Sequence, residues 1–83
     1  MTLRDLPNIG TTLSRRLAQI GITDQTTLAT IGAAETYRLL CAHHGRRLPV
    51  CFYLNSLHGA LTGRDWRNLS DEEKHRLRSA AGL

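Results

Sequence analysis

Cysteine is scarce: Cys41 and Cys51 are the only two in 83 residues. They permit one disulfide between them, but not the framework of a small secreted scaffold, which leans on several bridges in place of a core. No apolar run approaches the roughly 18 residues of a membrane span, and no charged-then-apolar leader opens the chain. These absences point to a reduced, cytoplasmic protein without membrane association. Aromatics are few (Tyr37, Phe52, Tyr53 and Trp66), so aliphatic side chains must supply most of the core. No segment alternates apolar and polar residues in the manner of a half-buried strand. The chain reads as all-α.

The catalytic signatures are missing too. There is no P-loop and no dinucleotide-binding fingerprint, so no cofactor is expected. Cys51 has no base at a convincing position, and Asp71, Glu72 and Glu73 sit where a helix start favours acids. Cys41 and His44 stand three apart and could touch one metal, whereas His43 and His44, being adjacent, diverge on a helix. A structural zinc site takes about four ligands, and Cys51 and His58 complete no such spacing. The reading is a protein that is not an enzyme and holds no metal.

What the chain does have is arginine. Eleven Lys and Arg against seven Asp and Glu leave a net charge of +4, and Lys74 is the single lysine. Guanidinium forks suit phosphates and carboxylates, so a nucleic-acid or acidic-protein partner is compatible with this surface. A chain of this size buries about 60–65% of its unfolded surface, which allows one domain over residues 1–83 whose helices depend on one another.

The apolar spacing lays out about five helices. The first starts at Thr11 or Thr12, whose hydroxyls suit an N-cap, and carries Leu13, Leu17, Ala18 and Ile20 to Gly21. A short second helix follows Thr23-Asp24, with Leu28 and Ile31 inward and Gly32 as its stop. The third runs from Ala33 to His44 with Tyr37, Leu40, Cys41 and His44 on one stripe, and Gly45 ends it. Leu48-Pro49 forces an extended step into a fourth helix carrying Val50, Tyr53, Leu54, Leu57 and Leu61. Gly59 inside it costs roughly 1 kcal/mol relative to alanine, which points to close approach of a neighbouring helix. A linker, Thr62 to Asn68, leads to the capping box Ser70/Glu73 of a mostly polar last helix. That helix offers Leu77, Ala80 and Ala81 to the core, with Trp66 under it.

The run Leu6-Pro7-Asn8-Ile9-Gly10 organises the N-terminal half. Proline fixes φ, and Asn8 and Gly10 both tolerate the left-handed region of a tight hairpin. A helix begins directly afterwards, so the hairpin delivers first-turn amides to a helix N-terminus, an arrangement suited to phosphate or simply to turning the chain. Leu28-Ala29-Thr30-Ile31-Gly32 repeats the spacing Leu-x-x-Ile-Gly 22 residues later, each glycine followed by a leucine after seven residues (Leu17 and Leu39). Two hairpin units in tandem account for this, as would generic helix-turn chemistry.

Leu6-Pro7-Asn8-Ile9-Gly10 resembles the hairpin of helix-hairpin-helix DNA-binding motifs, with Asn8 in place of a glycine and Ser14 where a small residue is usual. A longer order resembles the C-terminal domain of the TfoX/Sxy competence-regulator family. It comprises Leu6 to Gly10, Gly21-Ile22-Thr23, Leu28 to Ala33, Tyr37-Arg38, Leu54, Gly59 to Gly63, Trp66 and Leu69. The resemblance implies a compact SAM/helix-hairpin-helix-like bundle in a bacterial protein tied to natural transformation. Full-length regulators of that family carry an N-terminal α/β domain and promote competence-gene transcription with the cyclic-AMP receptor protein. These 83 residues do not include that domain. Met1 and a capped final helix fit a stand-alone protein, an excised domain being the other reading.

Two functions follow as expectations. In the first, an accessory regulatory module binds double-stranded DNA weakly and without sequence preference. Its site would comprise Asn8, Ile9, Gly10, Thr11, Thr12, Arg15 and Arg16, with Arg38, Arg46 and Arg47 extending the footprint if folding gathers them. In the second, the same geometry is scaffolding, and the partner is a transcription factor or another protein.

Overall fold

The leucines that recur at helical spacing are the residues this molecule hides. In the computed structural model, which describes residues 3–83 except the side chain of Cys51, a 3-10 turn Leu3–Asp5 precedes α1 (Thr11–Gln19). Then come α2 (Gln25–Ile31), α3 (Ala33–His44), α4 (Ser56–Thr62) and α5 (Asp71–Ala80). A π-helical turn, Cys51–Asn55, runs straight into α4, and a 3-10 turn, Trp66–Asn68, lies between α4 and α5. No β-strand occurs among the described residues, and the fold is the expected all-α bundle of five helices. Leu13, Leu17, Leu28, Leu40, Leu54 and Leu57 are each at most 1% exposed, worth roughly 2 kcal/mol apiece in transfer free energy. Helix α3 is central, packing on α2, α4, α5 and the π turn.

Buried Tyr37 ties α3 to the chain beyond it. Its hydroxyl donates to the Leu48 carbonyl at 2.6 Å, and the Leu48 amide donates to Cys41 Sγ at 3.4 Å. These two bonds bury Leu48 and orient the extended step into Pro49, whose carbonyl accepts from the Tyr53 amide at 3.1 Å. Cys41 is a free thiol. Its pairing with Cys51, permitted by the sequence, turns on a side chain outside the described residues.

The starts of α2 and α5 follow local side-chain chemistry. Asp24 caps α2, its carboxylate accepting from the Thr27 amide at 2.7 Å, and that bond holds the Asp24 carboxyl below its ordinary pKa. Ser70 and Glu73 form the full capping box of α5, with bonds of 3.1 and 3.2 Å. At α1, however, Thr11 and Thr12 lie inside the helix, and the cap position falls to Gly10, which has no side chain to offer.

Other differences are of phase. Ala18 is exposed because α1 turns Leu13 and Leu17 inward, and Ala80 is exposed while Ala81 is buried. The expected single fourth helix opens with a π turn; Val50, just before it, is only half-buried, while Tyr53, Leu54 and Leu57 face the core. The turn bearing Trp66 packs on α4. The two Leu-x-x-Ile-Gly runs both place a glycine at a helix N-cap, the Gly10 and Gly32 carbonyls accepting from Ser14 and Thr36 amides at 3.0 Å. They reach it differently: Asn8 takes the positive φ (68°) in the first run, Gly32 (89°) in the second. Leu17 is core and Leu39 exposed.

Candidate nucleic-acid interface

The hairpin is anchored from beneath. Leu6 and Ile9 drop into the core, and between them Asn8 adopts the left-handed conformation that its residue type tolerates. Its side chain points inward. Nδ2 donates to the Arg64 carbonyl at 2.8 Å and, more weakly, to the Ser56 carbonyl at 3.4 Å, while Oδ1 accepts from the Trp66 amide at 3.2 Å. Asn8 therefore fastens the hairpin to α4 and to the loop behind it. Gly59 is bare for the same reason: a Cβ there would lie 2.5 Å from both Arg64 O and Asn8 Nδ2. The neighbour that comes close is this loop and the hairpin amide, not a helix.

That loop is itself held by α5. The Glu73 carboxylate, besides capping, accepts from Arg64 Nη1 at 3.1 Å and from Arg64 Nη2, and His58 Nε2 stands 3.6 Å away. The Arg64 guanidinium first, and the Ser70 amide second, lower the Glu73 pKa to about 2. A depressed carboxylate stabilises the fold above its unfolded value of 4.5, and that contribution disappears as pH falls toward 2. Glu73→Gln is accordingly expected to flatten the acid limb of a stability profile measured by chemical denaturation at successive pH values. An unchanged acid limb would show that the Arg64 pair contributes nothing to folding.

The site residues inferred from sequence thus divide. Ile9 is buried and its amide faces the Leu6 carbonyl at 3.4 Å. Gly10, Thr11, Thr12 and Arg15 are exposed at the start of α1. Arg16 instead turns toward α3, its Nη1 standing 2.9 Å from His44 Nε2 and 3.2 Å from Nδ1. A neutral imidazole accepts this bond, and burial together with the Arg16 charge lowers the His44 pKa. Arg46 adds its charge to that same histidine. Arg38 pairs with Glu35 at 3.5 Å and, with Arg47, lines a cavity beside the C-terminal residues. Folding therefore does not collect all these arginines on the hairpin.

Electrostatically the start of α1 differs from those of α2, α3 and α5, and resembles that of the π turn leading into α4, which also has neither a first-turn acid nor a side-chain cap. Asp24 caps α2, Glu35 lies in the first turn of α3, and α5 begins with three acids and a capping box. Helix α1 has neither an acid in its first turn nor a side-chain cap. Its first amides and the positive end of its dipole face outward beside Arg15. Sequence reasoning missed the Asn8–Arg64–Glu73 chain. Glu73 was legible as a cap, but nothing in a nine-residue separation signals its pair with Arg64.

Comparison with known proteins gives one family match. The family model described as the TfoX C-terminal domain matches residues 1–81. The crystal structure of an uncharacterized protein from Listeria monocytogenes, triclinic form, is 28% identical, with a TM-score of 0.84 over 94% of this chain and 86% of that one. A protein of unknown function from Listeria monocytogenes, tetragonal form, is 26% identical, with a TM-score of 0.82 over 95% of each chain. No curated protein matches.

Proposed function

Because the chain belongs to the TfoX C-terminal domain family, we propose that it is a non-enzymatic regulatory module, linked to transcriptional control of competence or a related process, that touches DNA through its backbone. The observation supporting DNA contact is the uncapped, acid-free start of α1. There the amides of Gly10, Thr11 and Thr12 offer a phosphate both hydrogen bonds and a favourable dipole, and Arg15 supplies charge. Such contacts position a protein on a duplex without reading bases, so binding is weak, salt-dependent and insensitive to sequence. On this reading the contacts fall to Gly10, Thr11, Thr12 and Arg15, because Asn8 and Ile9 face inward and Arg16 is engaged by His44.

The test is fluorescence anisotropy of a short duplex at several salt concentrations. Arg15→Glu is expected to lower affinity about tenfold and to make the log–log salt slope shallower by about 0.9, the share of one phosphate. Arg16→Gln should change the slope little. Equal binding by the Arg15→Glu variant and the native chain would end the proposal.

A second reading, a protein-interaction module without DNA contact, draws support from Asn8. Its side chain, engaged by the Arg64–Trp66 loop, makes the hairpin a scaffold joint. On this reading the arginines meet an acidic protein.

A further inference from the structure

Between α3 and the C-terminal residues lies a cavity of about 270 Å³, lined by Tyr37, Arg38, Cys41, Arg47, Ala81 and Leu83. Its floor is largely apolar, since the Tyr37 hydroxyl is already bonded to the Leu48 carbonyl and Cys41 Sγ to the Leu48 amide. Its rim is cationic. Arg47 has no carboxylate partner among the described residues. Arg38 has only Glu35, at 3.5 Å, with both side chains more than half exposed, and such a pair is readily exchanged for another. The charges of Arg47 and Arg78 both reach the Tyr37 oxygen beneath, where they oppose the burial that pushes its pKa up to about 12.

We propose that this cavity docks an acidic peptide segment of a protein partner, one apolar side chain entering over Tyr37, Ala81 and Leu83 while flanking carboxylates pair with Arg38 and Arg47. The charge is complementary, and the guanidinium fork matches a carboxylate bidentately. The volume lies below the usual range for cofactor sites and suits one or two side chains. An apolar floor distinguishes such a segment from a duplex, whose backbone presents phosphate and sugar but no apolar group to fill it. The inference rests on the protein-partner reading of function and is independent of DNA contact by α1.

The experiment is a two-dimensional ¹⁵N–¹H titration of the whole chain with a synthetic peptide of alternating glutamate and leucine, beside its glutamine counterpart and a short duplex. The glutamate peptide is expected to shift amides of Tyr37, Arg38, Cys41, Arg47, Ala81 and Leu83, and the glutamine peptide to shift none. Arg38→Glu combined with Arg47→Glu should weaken the peptide at least tenfold. Both positions are exposed, so the fold is retained. Shifts confined to another surface would overturn this site while leaving a protein partner in place. Silence from both peptide and duplex at millimolar concentration would remove the site and both functional readings together. Shifts of these same amides by the duplex would reassign the cations to phosphate and overturn the peptide.

Discussion

Gly59→Ala is expected to destabilise the fold by about 3 kcal/mol, even though alanine is the better helix former by about 1 kcal/mol. The added Cβ would sit 2.5 Å from Arg64 O, 2.5 Å from Asn8 Nδ2 and 3.3 Å from Trp66 N. Two of these neighbours are backbone of a loop already pinned to Glu73, so the strain cannot be relieved by one flexible side chain. Overpacking of this kind costs about 1–3 kcal/mol. Pushing the loop away also breaks the bonds of Asn8, leaving part-buried polar groups unpaired at a further cost of about 1–3 kcal/mol. In a domain of this length each kcal/mol moves the melting temperature by about 4–8 °C, so a fall of about 12–24 °C should be seen by circular dichroism. A variant that melts at or above the native temperature would show that the α4–loop contact has room to spare.

The position of Gly59 illustrates what a linear reading reaches. Its presence inside an apolar helical pattern announced a close approach, because a glycine there carries a helix penalty that something must offset. The approaching group was out of reach, because Asn8 and Arg64 meet only through contacts 56 residues apart. The same division runs through the molecule. Residues 33–44 were legible to their ends, since Gly45 and the Tyr37–Leu40 spacing act over single turns. So was the positive φ of Asn8, which belongs to the residue type and its turn. The π turn was not, because one wide turn leaves Tyr53, Leu54 and Leu57 at helical spacing. Arg15 and Arg16 look equivalent in sequence, but successive helical residues point about 100° apart, and α3 happens to place His44 against the second.

Asn8 is where stability and function can be separated experimentally. Glycine at this position keeps the φ of 68° without strain but removes the amide that bridges Arg64, Ser56 and Trp66. Asn8→Gly should therefore cost about 2 kcal/mol, the scale of leaving part-buried loop groups unsatisfied. Asn8→Ala should cost about 1–2 kcal/mol more, since alanine resists the left-handed conformation. The order Asn, Gly, Ala in denaturant midpoints checks the assignment, and equal losses would mean that conformation plays no part. Compared where both proteins are folded, Asn8→Gly should leave both the affinity and the salt slope of duplex binding unchanged, because only the amides and Arg15 at the start of α1 meet phosphate. A loss of affinity at every salt concentration with the slope unchanged would place the Asn8 side chain on the DNA instead, since a neutral amide releases no counterion. Combining Asn8→Gly with Gly59→Ala should cost less than the two changes summed, by about 1 kcal/mol, since the new Cβ no longer meets Nδ2 and only the backbone neighbours Arg64 O and Trp66 N remain. Strict additivity would mean that the hairpin and α4 do not share this space, and the clamp would have to be abandoned as the reason the hairpin holds its shape.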